Sequence, residues 1–149
     1  MKTFFMREAI KEAEKALEIG EVPVGAIIVR NGEIIARAHN LRETGRNPIY
    51  HAEMLAIDQA AKKLGGWRLI GCEIYVTLEP CSMCTGAIIQ SRIEKLYIGT
   101  NDLKTGACGG KINLLEAGLF NHTVEVECGI LKEDCSNLIK SFFKKLRNK

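Results

Sequence analysis

Three potential metal ligands stand at the starts of two predicted helices. His51 opens the segment HAEMLAIDQAAKKL, and Cys81 and Cys84 follow Pro80 in the segment PCSMCTGAII. Two cysteines three residues apart at a helix start can turn both sulfurs to the same side of the helix. The positive end of the helix dipole lowers thiol pKa values and favours thiolates, the form that binds metal. One imidazole and two thiolates make a ligand set suited to zinc.

Glu53 adds a carboxylate to this ligand set. A structural zinc site is closed by four protein ligands, whereas a catalytic site keeps three and leaves the fourth position to water. Glu53 lies two residues from His51, so it can reach the same pocket without ligating the metal. A carboxylate there can take a proton from the bound water and pass it to a substrate nitrogen. The pattern predicts hydrolytic displacement at an electron-poor ring carbon.

Two other interpretations of the cysteine pair stay open at this point. A Cys-x-x-Cys motif also occurs in thioredoxin-like redox sites and in zinc knuckles. The redox interpretation gives Glu53 no task. A structural zinc needs a fourth ligand, which His39, His122 or Cys108 could supply by spacing. In that case the chain would be a zinc-stabilised RNA-binding module and not an enzyme.

The elements that position these residues follow from hydrophobic periodicity and turn signals. We predict helices that begin or end near Gly and Pro signals, over about 3–19, 51–64, 80–90, 112–118 and 132–147. We predict strands with β-rich or alternating patterns in VPVGAIIVR, EIIARAH, CEIYVTL, EKLYIG and HTVEVECG. Asn31-Gly32 joins the first two strands as a hairpin. A hairpin followed by β–α–β units indicates a mixed sheet with helices on both faces.

Composition limits the class of protein. The chain has 149 residues, of which 46% are hydrophobic and 26% charged, so we predict one globular domain over residues 1–149. The longest uncharged apolar run, Val22 to Val29, is too short to cross a bilayer, and the charged N-terminal segment has no signal-peptide core. We therefore predict a cytoplasmic protein with no membrane partner. The four cysteines outside the pair are predicted to be buried, reduced thiols.

Positive charge is concentrated in the last ten residues, KSFFKKLRNK. This segment contains five basic residues and no acidic one, whereas acidic residues outnumber basic ones in the rest of the chain. A basic segment with two aromatic residues can contact a nucleic-acid backbone and stack on a base. The alternative is a solvated face of the last helix, with Phe142 or Phe143 packed inward.

The order His-x-Glu and then Pro-Cys-x-x-Cys resembles the signature of the zinc-dependent deaminases. The likeness extends over nearly the whole chain, to bacterial tRNA-specific adenosine deaminases. It is carried by the segments EVPVGAIIV, HAEMLAI, YVTLEPCSMCTGAI, SRIEKLYIG, Asp102 to Ala107 and FNHTVEV, and by the basic end that carries paired Phe residues.

The resemblance implies an α/β fold of the cytidine deaminase-like type, with three α/β/α layers around a five-stranded mixed sheet, and a homodimer. It implies one Zn²⁺ per subunit, held by His51, Cys81 and Cys84, with Glu53 as the proton shuttle. The implied reaction is hydrolytic deamination of adenosine to inosine at the wobble position (34) of tRNA anticodons, by attack of zinc-bound hydroxide on C6. The alternative within the same superfamily is a deaminase of a free nucleobase or nucleoside, of the guanine or cytosine type.

The resemblance also implies residues that contact the substrate. Adenine C6 cannot be reached inside a stacked helix, so the base must be everted into the site. An asparagine at the position of Asn40 binds this flipped base in the family, and residues at the positions of Asp102 and Phe143 grip the anticodon stem-loop. We further predict RNA contacts from Lys104 and from Lys144, which lies in the basic tail.

Overall fold

Four helices and five strands occur within residues 1–148, the part of the chain that the computed structural model describes. The helices are α1 (Lys2–Glu18), α2 (Ala52–Leu64), α3 (Ser82–Gln90) and α4 (Lys132–Arg147). The strands are β1 (Gly25–Arg30), β2 (Glu33–His39), β3 (Cys72–Leu78), β4 (Lys95–Thr100) and β5 (Glu125–Cys128). The last strand is shorter than the alternating segment that predicts it.

The strands form one mixed sheet in the order β2-β1-β3-β4-β5. β1 pairs antiparallel with β2 and with β3, whereas β3, β4 and β5 run parallel. Asn31 and Gly32 connect β1 to β2 with φ values of 51° and 76°, as expected when both central residues of a two-residue hairpin turn have positive φ. β3 and β4 run parallel because α3 connects them and returns the chain to the same end of the sheet.

Alternation along the strands buries both faces of the sheet. Ile28, Ile74 and Leu96 belong to one core, which they share with residues of α2 and α3. Their neighbours Tyr75 and Tyr97 belong to the other core, with residues of α1 and α4, and their rings stack with centroids 4.2 Å apart. The three-layer α/β/α fold predicted from the sequence is confirmed.

The helices carry apolar residues on the face that meets the sheet and polar residues on the other. In α1 the buried face includes Phe5, Met6 and Ala9, and in α2 it includes Ala52 and Ala56. Because the alanines are small, the helices lie close to the strands. Among the helices of the described part of the chain, none has the length and apolarity needed to cross a membrane.

The segment 112–118 is not the short helix predicted from the sequence. It forms turns, and an isolated antiparallel bridge joins Cys108 to Asn113. The side-chain oxygen of Asn113 accepts a hydrogen bond from the amide of Leu115 at 3.0 Å, which competes with helical backbone bonding. Gly118 has φ +87°, outside the right-handed helical region. Local turn chemistry therefore outweighs the apolar spacing here.

Gly25 lies where α1 crosses the start of β1. A Cβ atom at this position would collide with the carbonyl oxygen of Ala9 and the amide nitrogen of Ala13. We predict that Gly25→Ala lowers the free energy of unfolding by about 1–3 kcal/mol, because helix and strand must move apart. Gly66→Ala is the matched control, since its Cβ would meet open space. Thermal unfolding of both variants tests this, and equal melting temperatures would contradict it.

Candidate active site

Two helices begin at the same edge of the sheet, and their first residues form a candidate metal centre. β3 ends at Leu78 and leads through Pro80 to Cys81, the N-cap residue of α3. His51 is the N-cap residue of α2, and Cys84 lies in the first turn of α3. Both N-cap residues have extended backbone, as is usual at this position. The positive ends of two helix dipoles therefore point at one place.

The structure brings the three predicted ligands together. The Nδ1 atom of His51 lies 3.7 Å from Sγ of Cys81 and 3.6 Å from Sγ of Cys84. All three ligand atoms lie within 4.8 Å of one another. A tetrahedral zinc ion with Zn–S of about 2.3 Å and Zn–N of about 2.0 Å sets S···N separations of about 3.5 Å. The donor set therefore fits Zn²⁺ in both chemistry and spacing.

The two sulfurs have different electrostatic surroundings. Hydrogen bonds from the Cys84 thiol and the His51 imidazole lower the pKa of the Cys81 thiol to about 4. In the hydrogen bond between the two sulfurs, the Cys84 thiol is the donor. This hydrogen bond and burial both raise the pKa of Cys84. The hydrogen bonds to Cys81 therefore favour its thiolate form. Metal binding at this centre releases the remaining thiol proton.

Glu53 lies beside the ligands in the first turn of α2 and is 4% exposed. In the protein alone, burial raises the pKa of its carboxyl group to about 7. A group with a pKa near 7 can both accept and donate a proton at neutral pH. Glu53 is therefore placed to move protons next to the ligand triangle.

The other candidates for a fourth ligand are engaged elsewhere. Nδ1 of His39 lies 3.0 Å from a glutamate oxygen on α1. Nε2 of His122 lies 2.7 Å from a main-chain carbonyl oxygen, and Sγ of Cys108 lies 3.3 Å from a threonine hydroxyl. Within residues 1–148, the group of closely spaced potential ligands contains His51, Cys81 and Cys84. This arrangement favours a site with an open fourth position over a closed structural site.

A cleft of about 850 Å³ opens over the candidate centre. Its floor includes His51, Glu53 and Cys81. One wall is the segment 40–50, here called the Asn40 loop, and another is the segment 101–110, here called the Asp102 loop. One face of α4 completes the cleft. A cleft of this size accommodates a nucleoside-sized ligand.

Asn40 lies directly after β2 and faces the cleft. Its side-chain amide donates to the carbonyl oxygen of Val22 at 3.3 Å, and its Oδ1 accepts from the amide of Arg42 at 3.1 Å. The second N–H of the amide and the second lone pair of the oxygen can still bond a ligand. The structure thus places Asn40 at the site with its orientation fixed by the protein.

The two predicted contacts of the Asp102 loop also line the cleft. Asp102 accepts hydrogen bonds from the amides of Lys104 and Thr105 at 2.9 and 3.1 Å, and from the Thr105 hydroxyl at 2.8 Å. These bonds to its own loop shape the turn that displays Lys104. The carboxylate of Asp102 therefore has a structural task in addition to any contact with a substrate.

The aromatic and basic residues of the last ten positions differ in their position relative to the cleft. Phe143 is 41% exposed and lines the cleft, whereas Phe142 is half-buried. Lys144 lies on α4 but outside the cleft lining. Lys149, the last basic residue of the tail, lies beyond the residues that the structure describes.

Three further cations line the cleft: Arg42, which was not selected from the sequence, and Lys140 and Arg147, which were included only as part of the basic tail. Lys140, Phe143 and Arg147 are spaced by three and four residues, so they share one face of α4. The sequence already contains this spacing, which indicates that Lys140 and Arg147 share a helix face with Phe143 and that Lys144 does not. Together with Lys104, these cations make the rim of the cleft positive.

The chain is similar to known deaminases in both sequence and structure. A family model of MafB19-like deaminases matches residues 2–147. A tRNA-specific adenosine deaminase of Bacillus subtilis (strain 168) is 58% identical over 145 residues, which cover 97% of this chain and 90% of that protein. A solved structure from work on A-to-I editing by tRNA:A34 deaminases at the wobble position of transfer RNA has a TM-score of 0.86 at 38% identity, covering 91% of this chain and 99% of that chain. A guanine deaminase from Nitrosomonas europaea, with a TM-score of 0.82 at 24% identity over 94% of this chain and 83% of that chain, shares the fold.

The three-layer fold and the family match over residues 2–147 show that the chain is a deaminase of the cytidine deaminase-like fold. Within this class, the 58% identity to the Bacillus subtilis protein over 97% of this chain identifies the family. The chain belongs to the family of tRNA-specific adenosine deaminases. The fold class and the family predicted from the sequence are both confirmed.

Proposed function

We propose that this protein hydrolyses adenosine to inosine at the wobble position (34) of tRNA anticodons. The observation that carries the proposal is the buried carboxylate of Glu53 beside the His51, Cys81 and Cys84 triangle, at the floor of a cleft with a positive rim. A ligand triangle with a non-ligating acid suits hydrolysis of an amidine C–N bond. The positive rim suits an RNA substrate.

We infer that His51, Cys81 and Cys84 hold one Zn²⁺ per subunit. When bound, zinc supplies a Lewis acid that lowers the pKa of a water molecule in its fourth position. The helix starts that carry His51 and Cys81 fix the ligand geometry before the metal binds. Glu53 then determines where the transferred proton is held, and the walls of the cleft determine where the adenine base is held.

Glu53 moves the protons in this proposal. Its carboxylate takes a proton from the attacking water and delivers it to N1 of adenine while oxygen bonds to C6. Glu53 then carries the second proton to the departing amino group, so that adenosine and water give inosine and ammonia. The buried position of Glu53 keeps bulk water away from this exchange.

The walls of the cleft receive the everted nucleotide. Asn40 holds the edge of the base with the part of its amide that the protein leaves unused. Phe143 offers an exposed ring on which a neighbouring base of the anticodon loop can stack. Asp102 contacts the anticodon loop from the cleft wall, and Lys104 contacts its phosphates from the rim. Lys144 contacts phosphates from a part of α4 outside the cleft lining.

Sequencing of tRNA after treatment with the purified protein tests the proposed reaction. We expect adenosine to be read as guanosine at the wobble position, because inosine pairs with cytidine. Parallel assays with free adenosine, guanine and cytidine are the control for the alternative activity. Turnover of a free base or nucleoside without turnover of RNA would assign the chain to the deaminases that act on free nucleobases or nucleosides.

Charge reversal on α4 tests the RNA contacts separately from the chemistry. We predict that Lys140→Glu and Lys144→Glu each weaken binding of an anticodon stem-loop and reduce its log–log salt slope by about 0.7 to 0.9 per lost phosphate contact. Lys63→Glu is the matched control, since Lys63 is an exposed lysine in the last turn of α2, away from the cleft. A Lys144→Glu slope equal to that of Lys63→Glu would remove Lys144 from the RNA contacts.

We further infer a single deaminase domain over residues 1–149, a homodimer and a cytoplasmic location, as the family resemblance implies. Exposed apolar side chains outside the cleft, Ile49, Ile112 and Phe120 among them, supply surface of the kind that subunit interfaces bury. Sedimentation equilibrium of the purified protein tests the dimer. A mass of about 33 kDa, twice that of the chain, is the expected result.

A further inference from the structure

Two glutamates outside the reacting centre are almost fully buried next to the cleft. Glu79 is 3% exposed and Glu21 is 1% exposed. A carboxylate without a partner is costly to bury, so its contacts indicate what it does. Each of these carboxylates accepts hydrogen bonds from one of the two loops that wall the cleft, Glu79 from the Asp102 loop and Glu21 from the Asn40 loop.

Glu79 connects both ends of the Asp102 loop. Its Oε1 accepts from the side-chain amide of Asn101 at 2.9 Å and from the backbone amide of Asp102 at 3.0 Å. Its Oε2 accepts from the backbone amides of Cys108 and Gly110 at 2.9 and 2.8 Å. Four donors thus converge on one side chain, and the loop that carries Lys104 closes around it.

Glu21 makes the corresponding contacts with the Asn40 loop. Its Oε1 accepts from the backbone amide of Glu43 at 3.2 Å, and its Oε2 accepts from that of Thr44 at 2.6 Å. These amides follow Asn40 and Arg42, the residues of this loop that line the cleft. The backbone of Glu21 itself is tied to the end of α1, since its amide donates to the carbonyl oxygen of Ala16 at 3.0 Å.

We propose that Glu21 and Glu79 are positioning residues for the RNA substrate, each fixing one wall of the cleft through backbone amides of its loop. This inference rests on the proposed function, because it assigns the two loops to RNA binding. Neither carboxylate is given a part in the chemistry. Their removal should therefore affect binding of the anticodon stem-loop more than turnover of bound substrate.

A carboxylate is required at both positions because only an ionised acid offers acceptors in every direction. The glutamine amide has nearly the same shape, but its NH₂ group is a donor. In Glu79→Gln this NH₂ group would face two N–H donors of the Asp102 loop, and in Glu21→Gln it would face one donor of the Asn40 loop. Unpaired buried donors are costly, so the loop should move away.

The test compares Glu79→Gln and Glu21→Gln with Glu12→Gln in the full-length, metal-loaded protein. Glu12 is the matched control, since it is 3% exposed but its carboxylate contacts His39 and Lys15 side chains. Hydrogen exchange should become faster at Asp102, Cys108 and Gly110 in Glu79→Gln, and at Glu43 and Thr44 in Glu21→Gln. The KM for an anticodon stem-loop should rise about tenfold, with kcat changed by less than about threefold.

Gly106→Ala disturbs the same contact from the loop side. A Cβ at this position would collide with the Glu79 carboxylate and with the carbonyl oxygen of Asp102. This variant keeps Glu79, so a similar rise in KM would support loop position as the cause even if Glu79→Gln folds poorly.

Unchanged loop exchange in the Gln variants would overturn the proposal, and so would a KM equal to that of Glu12→Gln. Wild-type protein without any activity on RNA would be a different result, since it would refute the proposed function. The exchange measurements do not depend on that activity, and they decide separately whether the carboxylates hold the loops.

Discussion

Glu53→Gln should abolish inosine formation while leaving the metal in place. The glutamine side chain keeps the size of Glu53 but cannot take a proton from water, and general acid–base catalysis contributes about 10²- to 10⁴-fold to rate. Because Glu53 serves both the attack and the departure of ammonia, we expect the loss at the upper end of this range. Deamination of an anticodon stem-loop under single-turnover conditions measures it.

Stability provides the control for this variant. Glutamine has nearly the same size and shape as Glu53 at this buried position, so the melting temperature should stay close to that of the wild-type protein. Metal content, measured by atomic emission, should equal that of the wild-type protein. A Glu53→Gln protein that retains more than about a tenth of the wild-type rate would refute the proton-shuttle role.

Cys84→Ala should remove both the metal and the activity. Cys84 is fully buried and is one of the three proposed ligands, so its loss would leave two ligand atoms for the ion. Changes to groups that merely support metal ligands already cost about 10- to 100-fold in affinity, and loss of a ligand should cost more. Metal content after dialysis measures the effect, and activity on RNA should disappear in parallel.

The response to a chelator distinguishes ligand loss from unfolding. A metal that binds the folded state raises the melting temperature by mass action, so a chelator should lower it in the wild-type protein. Cys84→Ala should show no such decrease. Cys72→Ala is the matched control, since Cys72 is a buried cysteine at the opposite end of β3 and should keep both the metal and the chelator response. Full metal occupancy in Cys84→Ala would refute the ligand assignment.

The sequence predicted the parts of this molecule that depend on local rules. Asn31-Gly32 specifies a hairpin by its backbone preferences, and alternation specifies which face of each strand is buried. The grouping of His51, Cys81 and Cys84 was also predictable, because Cys81 and Cys84 are neighbours at one helix start and zinc sites combine thiolates with imidazoles. His51 stands at the start of the helix that packs beside α3 in the same layer.

Contacts between distant segments were not predictable in this way. Glu79 and Glu21 are ordinary glutamates in the sequence, and their roles arise from loop amides that lie more than twenty positions away along the chain. The segment 112–118 has helical spacing, but a side-chain bond of Asn113 and the conformation of Gly118 give turns instead. Which of these hydrogen bonds form depends on contacts that exist only in the folded chain.

The location of α4 has a consequence for how this protein can change over time. His51, Cys81, Cys84 and Glu53 lie at the starts of α2 and α3 in one layer, whereas Lys140, Phe143 and Arg147 come from α4 in the opposite layer. The second half of α4 is largely exposed, so mutations there disturb little packing. Selection can therefore alter the cleft wall that α4 provides, while the residues at the starts of α2 and α3 stay unchanged.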